Sequence, residues 1–400
     1  MKSFLALLAA FGIALVSPPT PPQANKTTFA DLAPAFREKC APCHRPGGTA
    51  PFALLHYADV KKRAIKVGVM VVSYAMPPCR IRSDFGDICG VPPLTFKELV
   101  AIRRWTLEGA PEGPPKPMPA LPLELKWPLG HPDVVLQQTG VRVKREGGAY
   151  WRAYVIPLPH SGKLRAFDIR AQSPQVIRQA LVSLDRQGLY AKRDRAESGA
   201  GFSTNGSLGR DIEHLVGAWA PTYRKWKLPN GAAVPAAKAL VVQVQYNPIG
   251  RAADGGFELA LYYNNSPPEA PKWISVGTEN IHIGATSTTV IHATKTLDKS
   301  IRVISIVPEA RLTASSISLT ATQPQGEPKQ LFGGSWDLYW IGAYNFQTPP
   351  VLKKGTKLEL AVEYNNGLEA LHSPAESEPV NFGYGPRDEL CWAHIQYLPN

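Results

Sequence analysis

The sequence predicts a multidomain chain: a small all-α unit over residues 28–113, then two tandem all-β sandwiches over 125–266 and 273–400. Three observations carry this. Helical apolar spacing is confined to the first hundred or so residues, at Phe29, Leu32, Ala33 and Phe36 and again at Phe96, Leu99, Val100, Ile102 and Trp105. From about Leu123 short alternating runs punctuated by Pro, Gly and Asn take over, the texture of packed sheets. Within them a pattern recurs: Leu240 to Tyr246-Asn247 resembles Leu358 to Tyr364-Asn365.

The chain has 400 residues, more than one ordinary core accommodates. Its 39 prolines and 33 glycines favour turns and strands over long helices. The net charge of +12 comes from short scattered clusters such as Lys61-Lys62-Arg63 and Arg103-Arg104. That charge would steer an acidic partner, and no nucleic-acid motif accompanies it.

The elements follow in order. Lys2 and the apolar run Phe4 to Val16 predict a signal peptide over 1–24, with Ala24 as its last residue, although Pro22 fits the small-x-small rule poorly. The run is too short for a membrane span, which needs about 20 residues. The expected location is therefore periplasmic or secreted, with no transmembrane span after removal of the signal. Phe29 to Lys39 is a helix leading into Cys40-Ala41-Pro42-Cys43-His44.

Cys-x-x-Cys-His is the attachment signature of covalent haem c. Each thiol adds to one vinyl group, and the adjacent His44 then serves as an axial ligand of the iron. A thioredoxin-like redox pair would need a βαβ context, and a zinc site a second cysteine pair; neither is present. The second axial ligand is expected at Met76, in Met76-Pro77-Pro78, where the following proline favours an extended backbone. Met70 and His56 are the alternatives. Cys79 and Cys89 form a disulfide or remain thiols, and Cys391 is a small buried hydrophobe. Thr95 with Glu98 is a capping box opening a second helix that Gly109 ends. Residues 114–124 form a Pro-rich linker. The strands are expected at 149–157, 163–169, 176–184, 240–246, 257–263, 301–306, 358–364 and 393–398.

The order of His44-Arg45-Pro46-Gly47, Pro51-Phe52-Ala53-Leu54-Leu55-His56-Tyr57, Met76-Pro77-Pro78 and Gly109-Ala110-Pro111-Glu112-Gly113, then β-structure, resembles a known family. These are bacterial cytochromes c fused to a copper type II, ascorbate-dependent monooxygenase module, itself similar to peptidylglycine and dopamine β-monooxygenases. The resemblance implies a class I cytochrome c fold followed by jelly-roll-like sandwiches. It covers roughly residue 30 to the end and is strongest over the first hundred residues.

The copper ligands are where this chain departs from the family. The resemblance would place a His-His pair at Arg178 and Gln179, a third His at Gln245, a His-x-His at Glu309 and Arg311, and a Met at Leu390. Arginine stays cationic and leucine has no lone pair, so copper is not expected. Arg178, Glu309 and Arg311 would instead pair as a charged cluster.

The expectation is an exported monohaem electron-transfer protein, with a redox partner and a cleft between the β-domains open to a small molecule. A working copper monooxygenase fed by its own haem, or a haem-tagged recognition module, are the alternatives. In the favoured reading the β-module is a pseudoenzyme without catalytic residues.

Overall fold

A computed structural model of the chain describes residues 26–78, 81–86, 88, 93–114, 116, 127–159, 162–206, 214–221, 226–229, 231–235, 237–264, 269–337, 342–367, 378–385 and 387–400. The expected signal segment, Cys79, Cys89 and nearly all of the expected linker lie outside them. Among the described residues no helix is long and apolar enough to cross a membrane.

Among the described residues β-structure predominates, 41% strand against 15% helix. The N-terminal part supplies helices Phe29–Ala35, Tyr57–Lys61, Ala64–Val72 and Phe96–Leu107. The last starts where the sequence places it. Thr95 Oγ1 accepts from the Glu98 amide at 3.2 Å, and the Thr95 amide donates to Glu98 Oε2 at 2.7 Å. Trp105 is fully buried, with ring centroids 6.3 Å from Phe29 and 6.2 Å from Phe36. Its indole N–H donates to the Pro111 carbonyl at 2.8 Å, which closes the chain over the first helix.

Two pairs of sheets follow. In the first β-unit, Ala239–Tyr246 is central, flanked by Tyr150–Pro157 and Ile177–Leu184. Facing this sheet is another, with Lys163–Ala171 and Phe257–Tyr263 at its centre, and the two share one apolar core. In the second β-unit, Lys357–Asn365 lies between Thr288–Thr296 and Ala314–Thr322. Its facing sheet centres on Trp392–Pro399 and Ile301–Glu309. The recurrent sequence pattern therefore marks a central strand in each unit. Its tyrosines, Tyr246 and Tyr364, are both fully buried, and their hydroxyls donate to Gly255 O at 2.8 Å and Leu390 O at 2.7 Å.

The expected fold class, an all-α cytochrome domain followed by two tandem jelly-roll sandwiches, is corrected on these grounds. The N-terminal part is not all-α. Ile81–Arg82 is a strand, paired antiparallel with Pro328–Ser335 of the second β-unit through Ile81↔Gly334 and Arg82↔Gly333. Ile81 and Ile88 are buried in that unit's core. Nor are the β-units merely tandem. Trp151, Leu181, Leu215 and Ala218 of the first pack against Val307, Ala343 and Trp273 of the second. A register shift between Val303 and Ser305 accompanies the entry of Ile304 into the first unit's core. Helical periodicity and strand alternation are local signals, and neither reports which core a short segment joins.

Candidate functional site

The Cys-x-x-Cys-His segment sits where the first helix changes pitch. After Ala35 the chain winds as a π-helix over Phe36–Cys40, and the Ala41 amide donates to the Phe36 carbonyl at 2.8 Å. Such turns are frequent at functional sites. The next turn is tight: the amides of Cys43 and His44 both reach Cys40 O, at 3.2 and 2.9 Å. Ala50 N returns to Cys43 O at 3.1 Å and Leu54 N to His44 O at 2.9 Å, folding the loop back on the motif. Gly48 is required there, because a Cβ would lie 2.2 Å from the Cys43 carbonyl oxygen.

Cys40 and Cys43 carry half-buried thiols outside any disulfide. Burial, then the neighbouring Cys43, pushes the Cys40 thiol up to about 12, so it is protonated at neutral pH. His44 Nδ1 lies 3.1 Å from the Phe52 carbonyl oxygen. A carbonyl only accepts, so Nδ1 carries the proton and the lone pair of the neutral ring is on Nε2. Burial lowers the His44 pKa, the Phe52 hydrogen bond opposes this, and Arg63 lowers it further. The Phe52 ring lies 4.8 Å from the imidazole, and the Arg63 guanidinium is 4.4 Å above that phenyl ring. The result is a neutral imidazole with one nitrogen fixed and the other open to a metal.

Cys40, Cys43 and His44 thus share one turn. Met76 lies on a separate loop after helix Ala64–Val72, with its amide donating to Met70 O at 3.0 Å. It is 38% exposed, so its thioether is not committed to the core. Of the alternatives, Met70 is half-buried within the helix, and His56 is the N-cap residue of Tyr57–Lys61 with its amide on Asp59 Oδ2 at 3.1 Å. The donor set suits haem c: two thiols, an imidazole with a free nitrogen and an uncommitted thioether.

The positions that the resemblance assigns to copper ligands make their contacts within each β-unit. Gln179 and Gln245 face each other on adjacent strands, and Gln179 Nε2 donates to Gln245 Oε1 at 2.8 Å, both side chains buried. Arg178 Nη2 donates to Asn247 Oδ1 at 3.3 Å. Glu309 Oε2 lies 3.3 Å from His394 Nε2, and His394 Nδ1 lies 2.8 Å from Ser275 Oγ. The Arg311 amide donates to Glu389 Oε2 at 2.8 Å, while Leu390 is buried. Burial raises the Glu389 pKa, and the hydrogen bonds from Thr313, Arg311 and Leu390 oppose it. Among the described residues no group of three or more His, Cys, Asp or Glu side chains is placed to hold a metal ion. Gln396 Nε2 donates to Val216 O at 3.3 Å across the contact between the β-units, part of the region where the sequence places a ligand cleft.

Sequence reasoning missed the Ser275–His394–Glu309 chain of contacts. Its signal is the alternation of polar residues at His394 and Gln396, which places both on one face of a strand otherwise buried. The strand at Ile81–Arg82 left no such signal.

No protein-family model and no curated protein matches the chain. Similar solved structures include a protein of Eubacterium rectale described as secreted, at 10% identity and TM-score 0.19, covering 62% of this chain and 69% of that one. The VP2 subviral particle of infectious bursal disease virus pairs at 9% identity and TM-score 0.17, covering 67% and 73%. Dimeric latent PorU of Porphyromonas gingivalis pairs at 11% identity and TM-score 0.15, covering 64% and 24%. Pairings at these scores carry no argument about fold or activity.

Proposed function

We propose that this protein is an exported monohaem c-type cytochrome that transfers single electrons, joined to a monooxygenase-like β-module that has lost its copper sites. The observation that carries the reading is the His44 ring, fixed through Nδ1 by Phe52 O at 3.1 Å, one residue from a thiol of a Cys-x-x-Cys pair. Haem, when bound, supplies a one-electron iron couple whose potential a thioether ligand raises. The chain's own residues do the rest. Cys40 and Cys43 would anchor the haem, His44 would offer Nε2 to its iron, and Met76 would offer its thioether. The Phe52 carbonyl holds the imidazole's orientation, while burial and then Arg63 favour its neutral form. The net charge of +12 favours an acidic redox partner.

The copper-free reading of the β-module rests on Gln179 and Gln245. The resemblance puts two ligands of one copper at these positions, which face each other in a buried pair. The pair keeps the neighbourhood and replaces imidazoles with amides bonded to each other. Arg178 beside them is a poor host for a metal cation.

The test is to express the full chain in a host competent in haem maturation and measure iron and copper by mass spectrometry. One iron and no copper per chain is the expected result. Two tightly bound coppers would overturn the loss of the copper sites, and absence of covalent haem would overturn the cytochrome reading. Met76→Ala should abolish the methionine-to-iron charge-transfer band; an unchanged band would remove Met76 as the sixth ligand.

A further inference from the structure

Met76 is bonded on its N-terminal side, and the next strand after it in sequence belongs to the second β-unit. On the near side the Met76 amide is bonded to Met70 O, at the end of helix Ala64–Val72. On the far side four residues separate Met76 from Ile81. At the extended spacing of about 3.6 Å per residue, Met76 cannot stray more than about 18 Å from that strand.

The strand is held firmly. The Asp84 amide donates to Gln330 O at 2.9 Å, the Gln330 amide returns to Asp84 Oδ2 at 2.7 Å, and Gln330 Nε2 reaches Arg82 O at 3.2 Å. Lys329 Nζ stands 5.8 Å over the Phe85 ring. Ile81 is 5% exposed and Ile88 1%, both among core residues of the second unit such as Leu331, Phe332 and Leu360. A surface loop of the haem-binding part would not need two isoleucines in a core whose other residues begin about 190 residues later in the sequence.

We propose that Ile81, Asp84 and Ile88 anchor a tether through which the second β-unit holds the Met76 loop, so that the strength of thioether ligation depends on the packing of Ile81 and Ile88 and on the Asp84–Gln330 bonds. These are positioning residues. The inference rests on Met76 being the sixth ligand. It gives the β-structure a role in the redox site, because the second β-unit then sets how readily Met76 leaves the iron.

The experiment uses the full haem-loaded chain and titrates it with imidazole, which competes with a thioether for ferric iron. Ile88→Ala weakens the tether, and Leu352→Ala truncates a fully buried residue of the same core away from it. Ile88→Ala should bind imidazole about tenfold more tightly than wild type, because a larger fraction of molecules has Met76 detached. Leu352→Ala should stay within about twofold of wild type at a comparable loss of thermal stability. Ile88→Val should restore most of the wild-type affinity, and Asp84→Ala, which removes the carboxylate that accepts from the Gln330 amide, is a milder variant should Ile88→Ala fail to fold. Equal imidazole affinity in wild type and tether variants, or an equal shift in Leu352→Ala, would overturn the tether alone. A wild-type protein that takes up haem but lacks the methionine charge-transfer band would overturn the sixth-ligand reading and the tether with it.

Discussion

The buried pair Gln179–Gln245 allows a direct test of whether two facing buried amides stabilise the centre of the first β-unit's sheet. Gln179→Met keeps the side chain's length and removes its polar atoms. It deletes a 2.8 Å hydrogen bond and leaves Gln245 Oε1 buried without that donor, at 3% exposure for both residues. Losing the bond costs about 1 kcal/mol, and an unsatisfied buried amide brings the single substitution to about 2–3 kcal/mol. Gln245→Met should cost a similar amount by the same reasoning. The double variant leaves no orphan and should cost less than either single change, so the two effects couple by at least about 2–3 kcal/mol. Native-state hydrogen exchange on strand Ala239–Tyr246 measures the local stability without requiring a single unfolding transition for the whole chain. Strictly additive losses would refute the reasoning, since they would mean that the two amides do not depend on each other.

Two further outcomes are expected. Trp105→Ala should destabilise helix Phe96–Leu107 by about 3–5 kcal/mol in hydrogen exchange, through the cavity against Phe29 and Phe36, whereas Phe96→Ala at the same helix's exposed start should stay within about 0.5 kcal/mol. Asp31 is held down to about 2 from an ordinary 3.8, first by the Lys116 side chain at 2.6 Å and then by Thr28. Its contribution is present above the ordinary carboxylate value and is lost as pH falls through about 2, so Asp31→Asn should remove that part of the acid-side loss. Thermal melts at low pH check this, and identical acid profiles for wild type and variant would refute it.

Much of the secondary structure was legible in the sequence. Strands at Phe257–Tyr263, Ile177–Leu184 and Ala239–Tyr246 lie within two residues of the alternating runs, and Thr95 caps its helix through Glu98 as the spacing requires. Alternation and capping are local effects, decided by neighbours within a few residues. Strands such as Thr288–Thr296 and Ala314–Thr322 escaped notice, because their polar Ser- and Thr-rich faces dilute the apolar run. The motif Cys40, Cys43 and His44 was legible for the same local reason: its three groups share one turn of backbone.

What the sequence determined by itself was this turn and the residue types at the positions that the resemblance assigns to copper ligands. Two thiols and an imidazole at that spacing have few other uses, and no packing can turn an arginine or a leucine into a copper ligand. The tertiary structure alone decided which groups meet. It set His44 Nδ1 on Phe52 O, Gln179 on Gln245, and Ile81 and Ile88 in a core built mainly from residues after 270. Those contacts depend on chain segments that close over one another at long range. A short strand of two residues carries too little periodicity to announce which sheet it will join.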